Sequence, residues 1–270
     1  MSKVKLIASD MDGTVLFEAH ARRLPDEALA AAERALDAGV VFVAASGRQH
    51  YNIRNLFGEL ADRIIYVCEN GTLAIRGDEA LYRAPVDRER LLVLARAVLA
   101  TSKIHLVLSG VRACYVSSAD QLFYERMRDG LGNLTYTFEE LEDIDDYLVK
   151  VGIWFADAED PVALAEVEQL KRDFGEEFEI VSSGVDWYDI VPRGQNKAVA
   201  LAAVGRELGI DAADMAAFGD NYNDAPMLDY VGHPYLMETG KPELRGLNTR
   251  IRLCASVPET INELLRSNSE

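Results

Sequence analysis

Val4-Lys5-Leu6-Ile7-Ala8-Ser9 runs directly into Asp10-Met11-Asp12-Gly13-Thr14. A short apolar run of this kind reads as a buried strand, and here it ends on two acidic residues and a glycine. Carboxylates at the end of a buried strand are costly to desolvate unless a cation or a reaction uses them. Aspartate is also among the few side chains that can accept a phosphoryl group covalently. Two readings stay open from this stretch alone: strand-end caps, or a reactive pair.

Outward from it, strands and helices alternate. Leu24-Pro25-Asp26-Glu27 opens an alanine-rich helix, with proline where a first turn tolerates it, and Gly39 ends it. Residues 40–46 form a second buried strand, 48–60 a helical segment and 64–68 a third strand, the rhythm of a parallel sheet covered on both faces. After Asn70-Gly71-Thr72 hairpin signals appear, over 73–75 and 81–83 around Gly77-Asp78. Antiparallel strand pairs and a few helices follow, including two strands flanking Gly184. The parallel rhythm then resumes with a helix over 196–208, a strand over 215–219 and a helix from about Asp224. The fold expected is α/β: a discontinuous Rossmann-like core from 1–83 and 191–270, with an α+β domain inserted over 84–190.

Composition narrows the function. With 270 residues, 49% of them apolar and 27% charged, the chain can bury a full core. A formal net charge of −17 argues against a nucleic-acid or anionic-membrane partner, because nothing would neutralise the phosphates. It leaves room for a small phosphorylated ligand held by a few local cations. It also suits a divalent metal, although a solvated acidic surface fits equally well. Cys68, Cys114 and Cys254 lie far apart in strand-like runs without metal spacing, as small buried residues in a reducing compartment do. No run is long enough to span a bilayer, and Met1-Ser2-Lys3 leads straight into a strand with no signal peptide, so a cytoplasmic protein is expected. The acidic run over 139–146 reads as a solvated loop or helix face. The sequence leaves the oligomeric state open.

Four polar elements sit just past the ends of core strands, where open α/β sheets place their ligands. The first is Asp10-Met11-Asp12-Gly13-Thr14. The second is Ser46-Gly47-Arg48, whose hydroxyl can bond a phosphoryl oxygen or cap a helix, and whose glycine permits close backbone approach. The third is Lys197, near a helix N-terminus where its charge opposes the dipole. The fourth, Gly219-Asp220-Asn221-Tyr222-Asn223-Asp224, is an oxygen-rich cluster suited to a hard cation such as magnesium, or a capped turn.

All four, in this order and each at a strand end, resemble the motifs of the haloacid dehalogenase superfamily of phosphohydrolases. The large insertion between the third core strand and the lysine helix resembles the cap of the Cof-type, or class IIB, subgroup, and Glu69-Asn70-Gly71-Thr72 looks like that subgroup's Asn-Gly loop. The resemblance implies that Asp10 is the nucleophile and Asp12 the general acid and base. It implies that Thr14 and Ser46 position the phosphoryl group and that Lys197 balances charge. Asp220 would join Asp10 and the Asp12 backbone carbonyl in binding magnesium, with Asn223 and Asp224 orienting that site and Gly47, Arg48, Asn70 and Gly71 at its edge. In place of the subgroup's usual Gly-Val-Ala-Met-Gly-Asn-Ala-like stretch, this chain has Gly232-His233-Pro234-Tyr235-Leu236-Met237-Glu238-Thr239-Gly240, with His233 read as a turn residue. The expected activity is magnesium-dependent hydrolysis of a small phosphorylated metabolite through an aspartyl-phosphate, a sugar phosphate or a phosphorylated cofactor. Transfer to an acceptor hydroxyl on the same scaffold, and a non-catalytic phosphosugar-binding module, are the alternatives. In the inserted domain, Trp187 and Asp189 share one strand face and either present to a ligand or pack internally.

Overall fold

The computed structural model describes residues 3–18, 22–183 and 185–269; the turn expected at Gly184 and the start at Met1-Ser2 lie outside them. The chain divides into two compact units, Met1–Arg83 with Asn196–Glu270, and Ala84–Gln195.

In chain order, the first unit begins with β1 (Leu6–Ser9), α1 (Asp26–Asp37), β2 (Val41–Ala45), α2 (His50–Asn55), β3 (Ile65–Cys68), β4 (Leu73–Arg76) and β5 (Glu79–Arg83). All four residues of β1 and of β3 are buried, as near-continuous apolar strands should be. Asp26 and Glu27 occupy the first turn of α1, complementing its dipole, and Ala31, Ala32 and Ala35 face the core. The helix expected over 48–60 is shorter. It stops at Asn55, and a 3₁₀ segment covers Gly58–Arg63, where Gly58 has φ of +54°.

The second unit contains α3 (Arg88–Leu99), β6 (His105–Gly110), β7 (Cys114–Ser117), α4 (Gln121–Glu125), β8 (Thr135–Phe138), β9 (Leu148–Trp154), α5 (Pro161–Phe174), β10 (Phe178–Ser182) and β11 (Trp187–Pro192). Its six strands are ordered β10-β11-β9-β6-β7-β8, antiparallel except for the β7–β8 pair. Asp87 and Asp160 cap α3 and α5, and the apolar faces of these helices join Leu106, Leu108, Val151, Ile153 and Phe155 in one core. No local signal marks β8, in which only Thr135 and Phe138 are buried, so no period-two pattern exists to read. Pro192 pairs with Phe178, which keeps 191–195 in this unit instead of the core unit expected from the sequence.

The acidic run is also more than a solvated face. Leu141 and Ile144 enter the apolar core of this unit, and the buried Asp146 carboxylate accepts from the backbone N–H groups of Arg112 (3.0 Å) and Ala113 (3.3 Å) and from the Tyr115 hydroxyl (3.0 Å). On the opposite sheet face, Lys150 of β9 meets Asp189 of β11 at 2.8 Å, their side chains 5% and 3% exposed. Asp189 also accepts from Trp187 Nε1 (3.1 Å) and from Ser183, while the Trp187 ring lies against Gly152. Asp189 is therefore packed internally, with Trp187 half-buried beside it.

The chain returns to the first unit with α6 (Lys197–Leu208), β12 (Met215–Gly219), α7 (Ala225–Tyr230), β13 (His233–Met237), β14 (Arg252–Cys254) and α8 (Val257–Ser269). Its sheet runs β14-β13-β12-β1-β2-β3-β4-β5, parallel from β14 through β3. This order places the ends of β1, β2 and β12 side by side, on the edge where parallel sheets carry their ligands. His233, expected in a turn, instead begins β13 beside Ala216. The three cysteines are buried and none is in a disulfide among the described residues, and no described helix is long and apolar enough to cross a membrane.

Two stability predictions follow from buried groups. Lys150→Met leaves the Asp189 carboxylate without its cation, so the urea-unfolding free energy should fall by roughly 3–5 kcal/mol. An unchanged midpoint would show that the pair contributes nothing. His50 packs edge-on against Tyr66 at 5.2 Å, and its Nε2 has no hydrogen-bond partner among the described residues. Burial, aided by the Arg54 charge, pushes its imidazole down to about 4. The unfolded chain takes up that proton near its ordinary value of 6.5, so the stability this neutral ring supplies above 6.5 is lost as pH falls towards 4. Across that interval the melting midpoint of His50→Leu should fall less than that of the unsubstituted protein.

Candidate active site

The site lies wholly within the first unit and begins at the end of β1. The Asp10 backbone N–H still donates to Phe218 of β12 (2.9 Å), continuing the sheet by one residue. The chain then turns sharply. The N–H groups of Thr14, Val15 and Leu16 all converge on the Met11 carbonyl, and Gly13 donates back to Leu16. Gly13 has φ of +88°, and a Cβ there would collide with the Asp220 carboxylate, so glycine is required twice over.

Lys197 occupies the first position of α6, whose cap Asn196 accepts from the backbone N–H groups of Ala198 and Val199. Its ammonium is 1% exposed and donates to Asp10 Oδ1 at 2.5 Å and to Asp224 Oδ1 at 2.6 Å. The second Asp224 oxygen accepts from the backbone N–H groups of Asp220 (3.0 Å) and Asn221 (3.1 Å), so one buried carboxylate fixes both the lysine and the turn after β12. Thr14 Oγ1 donates to Asp220 Oδ1 (3.1 Å). The Lys241 N–H donates to the Asp220 carbonyl (2.8 Å), and Gly240 packs directly on the Asp220 backbone. Sequence reading assigned nothing to Gly240-Lys241; the glycine after an apolar strand was the available signal.

At the end of β2, Ser46 Oγ accepts from the Arg48 N–H (3.2 Å), tightening the turn ahead of α2. Arg48 grips Asp12 with two bonds, Nε to Oδ2 (2.8 Å) and Nη2 to Oδ1 (2.5 Å). Past β3, Glu69 and Asn70 hold φ of +52° and +57°, and Gly71 follows at +88°. Three left-handed residues in a row reverse the chain, and Gly71 touches the Asn196 backbone so closely that any Cβ would overlap it. The Asn70 amide is thereby laid over Gly47, and Asn223 Nδ2 donates to Asn70 Oδ1 at 3.4 Å.

The structure thus gathers Asp10, Thr14, Lys197, Asp220 and Asp224 into one network, joins Asp12 to Arg48, and links Gly47, Asn70 and Asn223. Carboxylate oxygens of Asp10, Asp220 and Asp224 all lie within 4.8 Å of one another. The Asp12 carboxylate is directed to Arg48, apart from these three. Burial first, and then the Asp224 charge, raises Asp10 well above the usual carboxylate range and raises Asp220 in the same direction. Burial alone would lower Lys197, but Asp10 and Asp224 outweigh it and keep the ammonium protonated. Three carboxylates against one ammonium leave an excess of two negative charges, which a divalent cation would cancel. The donor set is all oxygen, as a hard ion such as magnesium requires.

The chain resembles known proteins over most of its length. The family model for haloacid dehalogenase-like hydrolases matches residues 7–254. The HMP-PP phosphatase of Enterobacter sp. (strain 638) is 30% identical over 243 residues, covering 89% of this chain and 86% of that one. The 5-amino-6-(5-phospho-D-ribitylamino)uracil phosphatase YbjI of Escherichia coli (strain K12) is 26% identical over 244 residues, covering 87% and 85%. The solved structure of BT4131, described as a HAD subclass IIB sugar phosphatase, shares the fold with a TM-score of 0.75 at 20% identity, covering 96% of this chain and 98% of that one. The chain belongs to the haloacid dehalogenase-like hydrolases, and within them to the Cof-type phosphatases.

Proposed function

We propose that this phosphatase hydrolyses a small phosphorylated metabolite with the help of magnesium, through an aspartyl-phosphate on Asp10. The observation that carries the reading is the buried Lys197 ammonium held 2.5 Å from Asp10 inside an otherwise anionic pocket. An anionic nucleophile must approach an anionic ester, and a fixed buried cation beside it offsets that repulsion throughout the reaction. Asp10 attacks phosphorus, and the leaving oxygen departs with the bonding pair and takes a proton from the Asp12 carboxyl. In the second half a water attacks phosphorus while Asp12 accepts its proton, and the bond to Asp10 breaks to restore the carboxylate. Asp10 and Asp220 would hold the magnesium, with Asp224 steadying them. When bound, the ion supplies charge neutralisation at the phosphoryl oxygens.

Thr14, Ser46 and the backbone about Gly47, Asn70 and Gly71 are assigned to orienting the phosphoryl group, with Asn223 steadying Asn70. In the free protein Thr14 bonds Asp220 and Ser46 bonds the Arg48 N–H, so each hydroxyl begins already oriented. The two curated relatives are named for different phosphorylated compounds, which supports the class of substrate and leaves the compound to be found by assay. Sugar phosphates are the first to test. We assign substrate discrimination to the inserted unit, because the cluster in the first unit contains only groups directed at phosphate and cation.

Purified protein should release p-nitrophenolate from p-nitrophenyl phosphate when magnesium is present. Asp10→Asn should lower the rate by roughly three orders of magnitude or more. Undiminished turnover in that variant would sink the covalent route. A second readout does not need turnover. Because the folded state raises Asp10 and Asp220, their own contribution to stability without a cation is fully present below their ordinary value of 3.8 and is lost as pH rises and they ionise. Magnesium binds the ionised form, so the rise in melting midpoint on adding it should grow from pH 5 to pH 8 and shrink in Asp220→Asn. An increment independent of pH would place the ion elsewhere.

A further inference from the structure

We propose that Asn52 is a positioning residue that holds Arg48, and that Arg48 in turn holds the Asp12 carboxylate in place for activating water; the proposal rests on the covalent route just described. Sequence reading placed Arg48 among the groups that meet the substrate. In the structure the edge of the guanidinium formed by Nε and Nη2, the edge that would grip a phosphate bidentately, is occupied by the two oxygens of Asp12. The other arm is tethered as well, with Nη1 donating to Asn52 Oδ1 at 3.1 Å, one turn further along. The Arg48 backbone is fixed at both ends, its N–H donating to Ser46 Oγ (3.2 Å) and its carbonyl accepting from the Glu69 N–H (3.1 Å). Its side chain is 17% exposed against 51% for Asp12. Arg48 is thus the anchored member of the pair and Asp12 the member that faces solvent.

With both oxygens engaged by one anchored guanidinium, the direction in which Asp12 faces an attacking water is set by Arg48. In the hydrolytic half, the attacking water forms a bond to phosphorus and gives one proton to Asp12, while the phosphorus–oxygen bond to Asp10 breaks and its electron pair returns to Asp10. Asn52 acts through Arg48. It fixes Arg48, which would otherwise sample the rotamers open to a long side chain.

Rapid mixing with p-nitrophenyl phosphate and magnesium tests this, because p-nitrophenolate leaves without needing a proton. In Asn52→Ala, phosphorylation of Asp10 should stay fast while hydrolysis slows. We expect kcat to fall roughly tenfold, with KM falling in parallel and kcat/KM held. The initial burst of p-nitrophenolate should rise towards one equivalent per enzyme, above that of the unsubstituted protein. Asn52→Asp keeps an acceptor for Nη1 and should restore kcat and abolish the added burst. A lower kcat/KM without a burst would mean that Arg48 serves phosphate binding, and an unchanged or raised kcat would mean that the tether does not act; either overturns the proposal. Turnover surviving in Asp10→Asn would instead overturn the covalent route on which it rests.

Discussion

The Lys197 ammonium, enclosed between Asp10 and Asp224, is the constraint around which the first unit is organised. A lysine so fully removed from water is tolerable only if its charge is matched at close range, and both partners are buried carboxylates. Each of the three sits at the end of a different element: Asp10 after β1, Lys197 at the start of α6, Asp224 at the start of α7. The contact therefore ties together segments that the sheet alone would leave free at their tips. Asp224 extends the tie, since its second oxygen collects two backbone N–H groups of the turn that presents Asp220.

The same contact explains why glycine recurs nearby. Once Asp220 and Asn196 are fixed, the backbone at 13 and at 71 must pass against them with no room for a side chain and with left-handed dihedrals. The clustered carboxylates are thus set by backbone shape as much as by side-chain bonds. Positioning of this kind is what phosphoryl transfer chiefly asks of a protein.

Much of this was legible in the sequence because the signals were local. The buried strands announced themselves as apolar runs, and the polar clusters at their ends by the cost of placing Asp10, Lys197 and Asp224 beside a core. The gathering of Asp10, Lys197, Asp220 and Asp224 was implied by the family resemblance, each lying just past the end of a core strand. What escaped reading depends on distant partners. The Arg48–Asp12 pair was not foreseen, because nothing local shows which carboxylate fills the arginine fork. Asp146 looked solvated because its donors, Arg112, Ala113 and Tyr115, lie more than thirty residues away. Asn52 and Lys241 carried no chemical signature, and their meaning comes only from what they touch.

The first unit is written in two pieces, and this has a consequence for how the molecule is born. β1 pairs with β2 on one side, close in sequence, but with β12 on the other, and the bond from Lys197 to Asp10 closes a span of 187 residues. As the ribosome delivers the chain from its N-terminus, Asp10 emerges with one flank of its strand unpaired and no cation beside it. The segment Ala84–Gln195, which has an apolar core of its own, is complete before either can arrive. A nascent chain arrested before Asp224 is out carries Asp10 without the complete network that encloses it. The pocket closes last, so any phosphoryl chemistry waits until nearly the whole chain has been made.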